Sequence, residues 1–196
     1  MSQHIEEGEP RFAPLTVERW PDLEALFGPR GACGGCWDMY WRVPGAEFDR
    51  NKGEGNRQAF RTLIESGITP GVLGYVGDKP AGWCAVQPRE TYPRLARSRS
   101  LKPVDDAPVW SVTCFFVARA HRRSGLSVGL LRAVVEHAAG CGARIVEGYP
   151  VDPRGGSMPD AFAWYGTLPT FLRAGFVEVA RPSPTRAIMR YVIREG

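Results

Sequence analysis

The chain has 196 residues, 43% of them hydrophobic and 23% charged, a make-up that fits a soluble globular protein with one domain, 1–196, and a substantial core. Its formal net charge of +4 is modest, and no long basic run or nucleic-acid module accompanies it, so nucleic acid is not an expected partner. The first ten residues, MSQHIEEGEP, are acidic and polar and no stretch is apolar enough to span a membrane, so a cytoplasmic protein without a membrane partner is expected.

Residues 1–9 are expected to be disordered, and residues 11–15 to form a first strand. Thr16 is placed to cap a helix over 17–27, whose Trp20, Leu23 and Phe27 share one face, and Gly28-Pro29 stops it. Residues 31–55 form a long glycine-rich excursion carrying Cys36-Trp37-Asp38-Met39-Tyr40-Trp41-Arg42. A second helix is predicted over 56–66, with Phe60, Leu63 and Ile64 apolar and Gly67 at its end. Residues 72–76 and 81–87 read as a hairpin turning at Gly77-Asp78, and 88–108 as a polar loop with Arg89, Arg94, Arg97, Arg99 and Lys102. Next come a strand over 109–117, a basic loop, a helix, and a strand over 143–149. A loop rich in Pro and Gly, a short helix near 170–174 and strands near 176–180 and 187–193 complete the order.

The basic loop carries the most information. Arg122-Arg123-Ser124-Gly125-Leu126-Ser127 lies between a β-branched and aromatic strand and a helix whose Val128, Leu131, Val134, Val135 and Ala138 form one apolar stripe. Amide groups at a helix start have no internal partner and the helix dipole adds positive charge, so such a turn suits phosphate. Ser127 is a candidate N-cap, and Gly140 or Gly142 a candidate end. Gly125 leaves a ligand room to approach the backbone, and Arg122 and Arg123 supply charge.

Five cysteines are an odd number in a chain of this size, which fits a reducing compartment. Cys33 and Cys36 form a C-x-x-C pair, but the remaining cysteines and His4, His121 and His137 lack the spacing of a second ligand pair. No metal is therefore expected, and the pair reads as two reduced thiols near a binding loop.

The run from Val117 to Gly129 resembles the acyl-CoA motif of the GNAT superfamily of N-acetyltransferases, Gln/Arg-x-x-Gly-x-Gly/Ala, with Ser127 in the last small position. Phe171-Leu172-Arg173-Ala174-Gly175-Phe176 is similar to the family's Tyr-x-x-x-Gly-Phe, and the likeness extends roughly over 72–193. A group of bacterial GNAT proteins carries segments similar to residues 36–42. The resemblance implies an α/β (α+β) fold: a mixed, mostly antiparallel sheet of about seven strands, splayed at the fourth and fifth, with helices on both faces. It also implies acetyl-CoA as co-substrate, with the pantetheine arm on the main chain of Phe115, Phe116 and Val117. The diphosphate would lie on the amides of Arg123, Ser124, Gly125, Leu126, Ser127 and Val128, beside Arg122.

The implied reaction is direct attack of a neutral amine on the thioester, with acceptors among small molecules, antibiotic-like compounds and peptides, in a monomer or homodimer. The alternative is a non-catalytic acyl-CoA sensing module, because the family's usual acid, a Tyr, is replaced by Phe171, which has no proton to give. Tyr165 is the nearest substitute in sequence and Tyr149 another. Glu147, a carboxylate in an otherwise apolar strand, is the candidate base, or else a partner for an arginine; Asp152 is a weaker candidate. Cys114 lies in the cofactor strand, where a small buried hydrophobe is the plainer role. Trp37, Tyr40 and Trp41 form either an aromatic wall for the acceptor or a plug that anchors the long loop.

Overall fold

The computed structural model describes residues 9–153 and 164–194. The expectation of a disordered N-terminus therefore lies outside the described residues except for Glu9, as does most of the Pro- and Gly-rich loop after residue 149.

In chain order the elements are β1 (Arg11–Pro14), α1 (Trp20–Phe27), α2 (Gly45–Arg50), α3 (Glu54–Glu65), β2 (Gly71–Val76), β3 (Lys79–Pro88) and α4 (Pro93–Ala96). They continue with β4 (Trp110–Val117), α5 (Leu126–Gly140), β5 (Ile145–Gly148), α6 (Leu168–Arg173), β6 (Val177–Ser183) and β7 (Arg186–Val192). The strands make one seven-stranded sheet in the order β1-β2-β3-β4-β5-β7-β6. Every neighbouring pair is antiparallel except β4 and β5, which run parallel.

The expected layout holds, with two additions. The glycine-rich excursion contains α2 and the polar loop contains α4, turns of six and four residues too short to show an apolar period.

Each sheet face has its own core. On one side α5 lays Leu126, Leu130, Leu131, Val134 and Ala138 over Val72, Cys84, Val86, Val112 and Val146. On the other, Trp20, Leu23, Phe27, Phe60 and Ile64 from α1 and α3 cover Leu73, Trp83 and Ala85. A smaller cluster of Tyr92, Leu95, Leu101, Tyr149 and Ile188 closes the region beside β5 and β7.

The β4–β5 contact is short. Trp110, Ser111 and Val112 face Val146, Glu147 and Gly148; beyond Val112 no strand among the described residues borders β4 on that side. On its other edge β4 stays paired with β3 out to Val117. Ala85 faces Cys114 while Val86 faces Val112, so Thr113 is the extra residue of a bulge at the point where the strands part. Phe171 occupies this fork. Its ring stands 5.9 Å from that of Phe115, and a Cβ on Gly148 would come within 2.2 Å of it.

Candidate active site

The basic turn is built by two left-handed residues. Arg123 has φ 66° and Gly125 φ 89°, so the chain rises from β4 and enters α5 with Gly125 as its N-cap. Ser127, expected as the cap, is the second residue of the helix. The left-handed bend at Gly125 starts α5 earlier, and the Ser124 hydroxyl donates instead to the His121 carbonyl at 2.7 Å. Nothing lies within 4 Å of a Cβ built on Gly125, so its backbone conformation and open approach favour glycine, not close packing.

The amides of Val128 and Gly129 both donate to the Gly125 carbonyl, at 2.9 and 3.3 Å, which removes Val128 from the set of available donors. Among the described residues, no backbone partner meets the amides of Arg123, Ser124, Gly125, Leu126 and Ser127. Arg122 to Gly125 are exposed, and Arg122 Nε donates to the Val117 carbonyl at 3.3 Å, tying the turn to the end of β4. At its far end α5 closes on Gly142, with Ala143 N–H donating to Ala138 O and Gly142 N–H to Ala139 O, each at 2.9 Å.

On the opposite side of β4 lies a cavity of about 170 Å³, lined by Cys114, Phe115 and Phe116 of the strand, Phe27, Ala32, Cys33, Cys36, Asp38, Tyr40, Phe48 and Trp164. Its wall depends on a strained turn. Ala32, Trp37 and Asp38 have positive φ, and Gly35 packs so tightly on Gly53 that a Cβ would sit 2.5 Å from the Gly53 nitrogen. This turn sends the aromatic residues apart. Trp37 goes into the core between Trp20 and Phe27, at 5.9 and 5.6 Å, and leaves the cavity wall. Tyr40 stays on the wall, and Trp41 stacks edge-on behind it at 5.1 Å. A larger depression, of about 310 Å³ between Glu24, Trp37 and Arg57, includes no β4 residue.

Two buried polar networks support the fork. Asp38 accepts two bonds from Arg42, at 3.1 and 2.8 Å, and Arg42 also binds Gln87 and Tyr92. Burial lifts the Asp38 carboxyl above its usual range while the Arg42 charge opposes that rise. In the second network Glu147, fully buried, takes Arg190 Nε at 2.8 Å, Arg89 Nη1 at 3.2 Å and the Tyr149 hydroxyl at 2.8 Å. Arg190 continues to Asp105 at 2.7 and 2.9 Å, and Ser111 joins Tyr149 at 2.8 Å. Glu147 is thus an arginine-paired carboxylate, with both of its oxygens already bonded. Tyr149 is held in the same network, its phenol pushed far up by burial and by the Glu147 charge. Asp152 is likewise engaged, by Arg181 at 2.8 Å.

Arg89, read from the sequence as part of a solvated polar loop or as an anion contact, binds Glu147 instead, and Arg190 has no role assigned from the sequence. A usable signal is present, because Arg190 is a charge set among apolar neighbours inside β7, Glu147 is the lone charge of β5, and the two are direct cross-strand partners.

Two of the thiols at the cavity, Cys36 and Cys114, are held in the protonated form. Burial lifts Cys114 well above its ordinary value, and burial together with Asp38 pushes Cys36 up to about 11. Among the described residues no group of His, Cys, Asp or Glu could hold a metal ion. Tyr165 adjoins the lining residue Trp164, its ring stacked on that indole at 3.7 Å, and burial pushes its phenol up to about 12 against the opposing charge of Arg186. No helix among the described residues is long and apolar enough to cross a membrane.

Residues 36–152 match the model of the acetyltransferase (GNAT) family. Among solved structures, an acetyltransferase of the GNAT family from Streptococcus agalactiae 2603 aligns over 96% of this chain and 98% of its own, at 12% identity and TM-score 0.58. The aminoglycoside acetyltransferase AAC(6')-Ib in complex with coenzyme A aligns over 94% and 95%, at 15% identity and TM-score 0.54. The acetyltransferase yncA from Salmonella typhimurium, with its cofactor acetyl-CoA, aligns over 95% of each chain at 11% identity and TM-score 0.52. At these identities the likeness is one of fold. Comparison with curated proteins gave no match.

Proposed function

The chain belongs to the GNAT acetyltransferase family, and on that premise we propose that it moves an acetyl group from acetyl-CoA to a primary amine of a small molecule, antibiotic-like compound or peptide. One observation carries this reading. The unpartnered edge of β4 links the open amides at the start of α5 to the cavity at Cys114–Phe116, so a single strand borders both a phosphate seat and an acceptor pocket. In the yncA and AAC(6')-Ib structures acetyl-CoA and coenzyme A are the bound ligands, which supports the donor chosen here.

In the proposed complex the amides of Arg123 to Ser127 hold the diphosphate and the exposed guanidinium of Arg123 adds charge. The main chain of Phe115, Phe116 and Val117 takes the pantetheine amides along the edge that β5 leaves open. The amine then attacks the thioester carbonyl, a β4 N–H stabilises the oxyanion, and the C–S bond breaks. Tyr165, whose phenol stays protonated below about 12, returns a proton to the thiolate. Among the described residues of the cavity wall the only carboxylate is Asp38, already paired with Arg42, so the amine gives its proton to solvent.

A thiol-release assay over a panel of primary amines tests the proposal. Amine-dependent release of coenzyme A is the expected result. Tight acetyl-CoA binding without amine-stimulated release would instead support the sensing module, which Phe171 in the acid's usual place favours.

A further inference from the structure

The cavity wall continues into an aromatic cluster that holds two arginines. Tyr40 meets Trp164 at 5.5 Å, Trp164 stacks on Tyr165 at 3.7 Å, and Trp41 borders Tyr165 at 6.4 Å. The guanidinium of Arg94 lies 3.9 Å over the Tyr40 ring, and that of Arg186 lies 3.9 Å over the Tyr165 ring. Both charges oppose the burial that raises the Tyr165 phenol, and Arg186 is also hydrogen-bonded to it.

Most other well-buried cations of this protein meet an acid: Arg42 has Asp38, and Arg190 and Arg89 have Glu147. Arg94 and Arg186 do not. Both are half-buried, and among the described residues neither makes an ion pair; Arg186 donates to the Tyr149 carbonyl at 2.8 Å and bonds the Tyr165 hydroxyl, both neutral partners. Trp41 adds a buried indole N–H with no partner among the described residues. A guanidinium has five N–H donors, more than a ring contact and one or two neutral acceptors use, and partial burial without a counter-charge carries a cost that a planar anion offsets. Burial in fact lowers the Arg186 pKa, as expected of a cation short of negative charge.

Size and polarity limit the rest of the ligand. A cavity near 170 Å³ with this apolar wall takes one ring or a branched aliphatic group, since about 150 Å³ already holds benzene. Polycationic acceptors find no free carboxylate among the described lining residues.

We propose that the acceptor is a small amino acid-like amine, its apolar or aromatic side chain in the cavity and its carboxylate held by Arg94 and Arg186. This rests on the transferase reading above and narrows its acceptor.

The test is a binding titration read by tryptophan fluorescence, with coenzyme A present and phenylalanine and phenethylamine as a matched pair that differs in the carboxylate. Phenylalanine is expected to bind about tenfold tighter or more, as a charge-assisted bond implies. Arg94→Gln should weaken phenylalanine about tenfold and change phenethylamine less than about threefold. Arg186→Lys, which keeps a donor for the Tyr149 carbonyl, should weaken phenylalanine selectively as well and gives an independent reading if the first variant is unstable. Equal affinities, tighter phenethylamine, no binding of either, or equal losses for both probes would overturn the inference. Because binding is read without turnover, the expected pattern in a protein that releases no thiol would remove the transferase reading alone. Efficient transfer to phenethylamine without any preference for phenylalanine would remove this inference alone.

Discussion

The turn proposed for the donor and the cavity proposed for the acceptor lie on one strand and are made in opposite ways. The turn is a single continuous segment, Val117 to Val128, which presents main-chain amides and leaves its side chains largely in solvent. The cavity draws on α1, the strained turn at 31–38, α2, β4 and Trp164, and depends on side chains from all of them. A backbone site needs only the right φ at two positions, so it tolerates almost any neighbouring chemistry. A side-chain site needs distant elements to be held in register, which here falls to buried ion pairs.

The largest effect expected from this contrast is on stability, at the acceptor side's support. Glu147→Ala leaves Arg190 and Arg89 without their shared carboxylate and should cost about 3–5 kcal/mol in denaturant unfolding. A loss below about 1 kcal/mol would show that the network does not hold the fork together. At the donor turn, Gly125→Glu should weaken acetyl-CoA about a hundredfold or more by calorimetry with the fold retained, because it adds bulk and negative charge to a residue at φ 89°. Unchanged affinity would remove the diphosphate from this turn.

Tyr165→Phe should lower kcat about ten- to a hundredfold with little change in acetyl-CoA affinity. Because burial raises this phenol to about 12, the wild-type rate should follow deprotonation of the acceptor amine and show no falling alkaline limb below that value. A limb near pH 9 would point to another acid.

The smallest effect concerns the end of α5, where burial lowers the His137 pKa below 6.5. The unfolded chain then binds a proton that the folded one refuses as pH falls below 6.5. Stability should therefore decline from pH 6.5 downward by less than about 1 kcal/mol from this group, and His137→Gln should flatten that slope in thermal melts.

The same contrast explains what could be read from the sequence. The α5 stripe, the β2–β3 hairpin and the glycine at the basic turn are local patterns, and each appears where it was expected within a few residues. Trp37 and Tyr40 are three residues apart, and only the left-handed residues at Ala32, Trp37 and Asp38, invisible to any periodicity, separate a core residue from a wall residue. Glu147 looked suited to be a base because its partners, Arg89 and Arg190, come from a polar loop and from a strand over forty residues away. The cluster around Tyr165 depends on contacts with Tyr40, Trp41 and Arg186, none of them local.

Amide hydrogen exchange with and without acetyl-CoA tests the central claim, that main-chain groups of one strand edge and one turn hold the donor. Protection on binding is predicted at residues 123–127 and along 115–117, with residues 128–140 unchanged because their amides are already bonded within α5. Binding that leaves 123–127 exchanging at the free rate would contradict it.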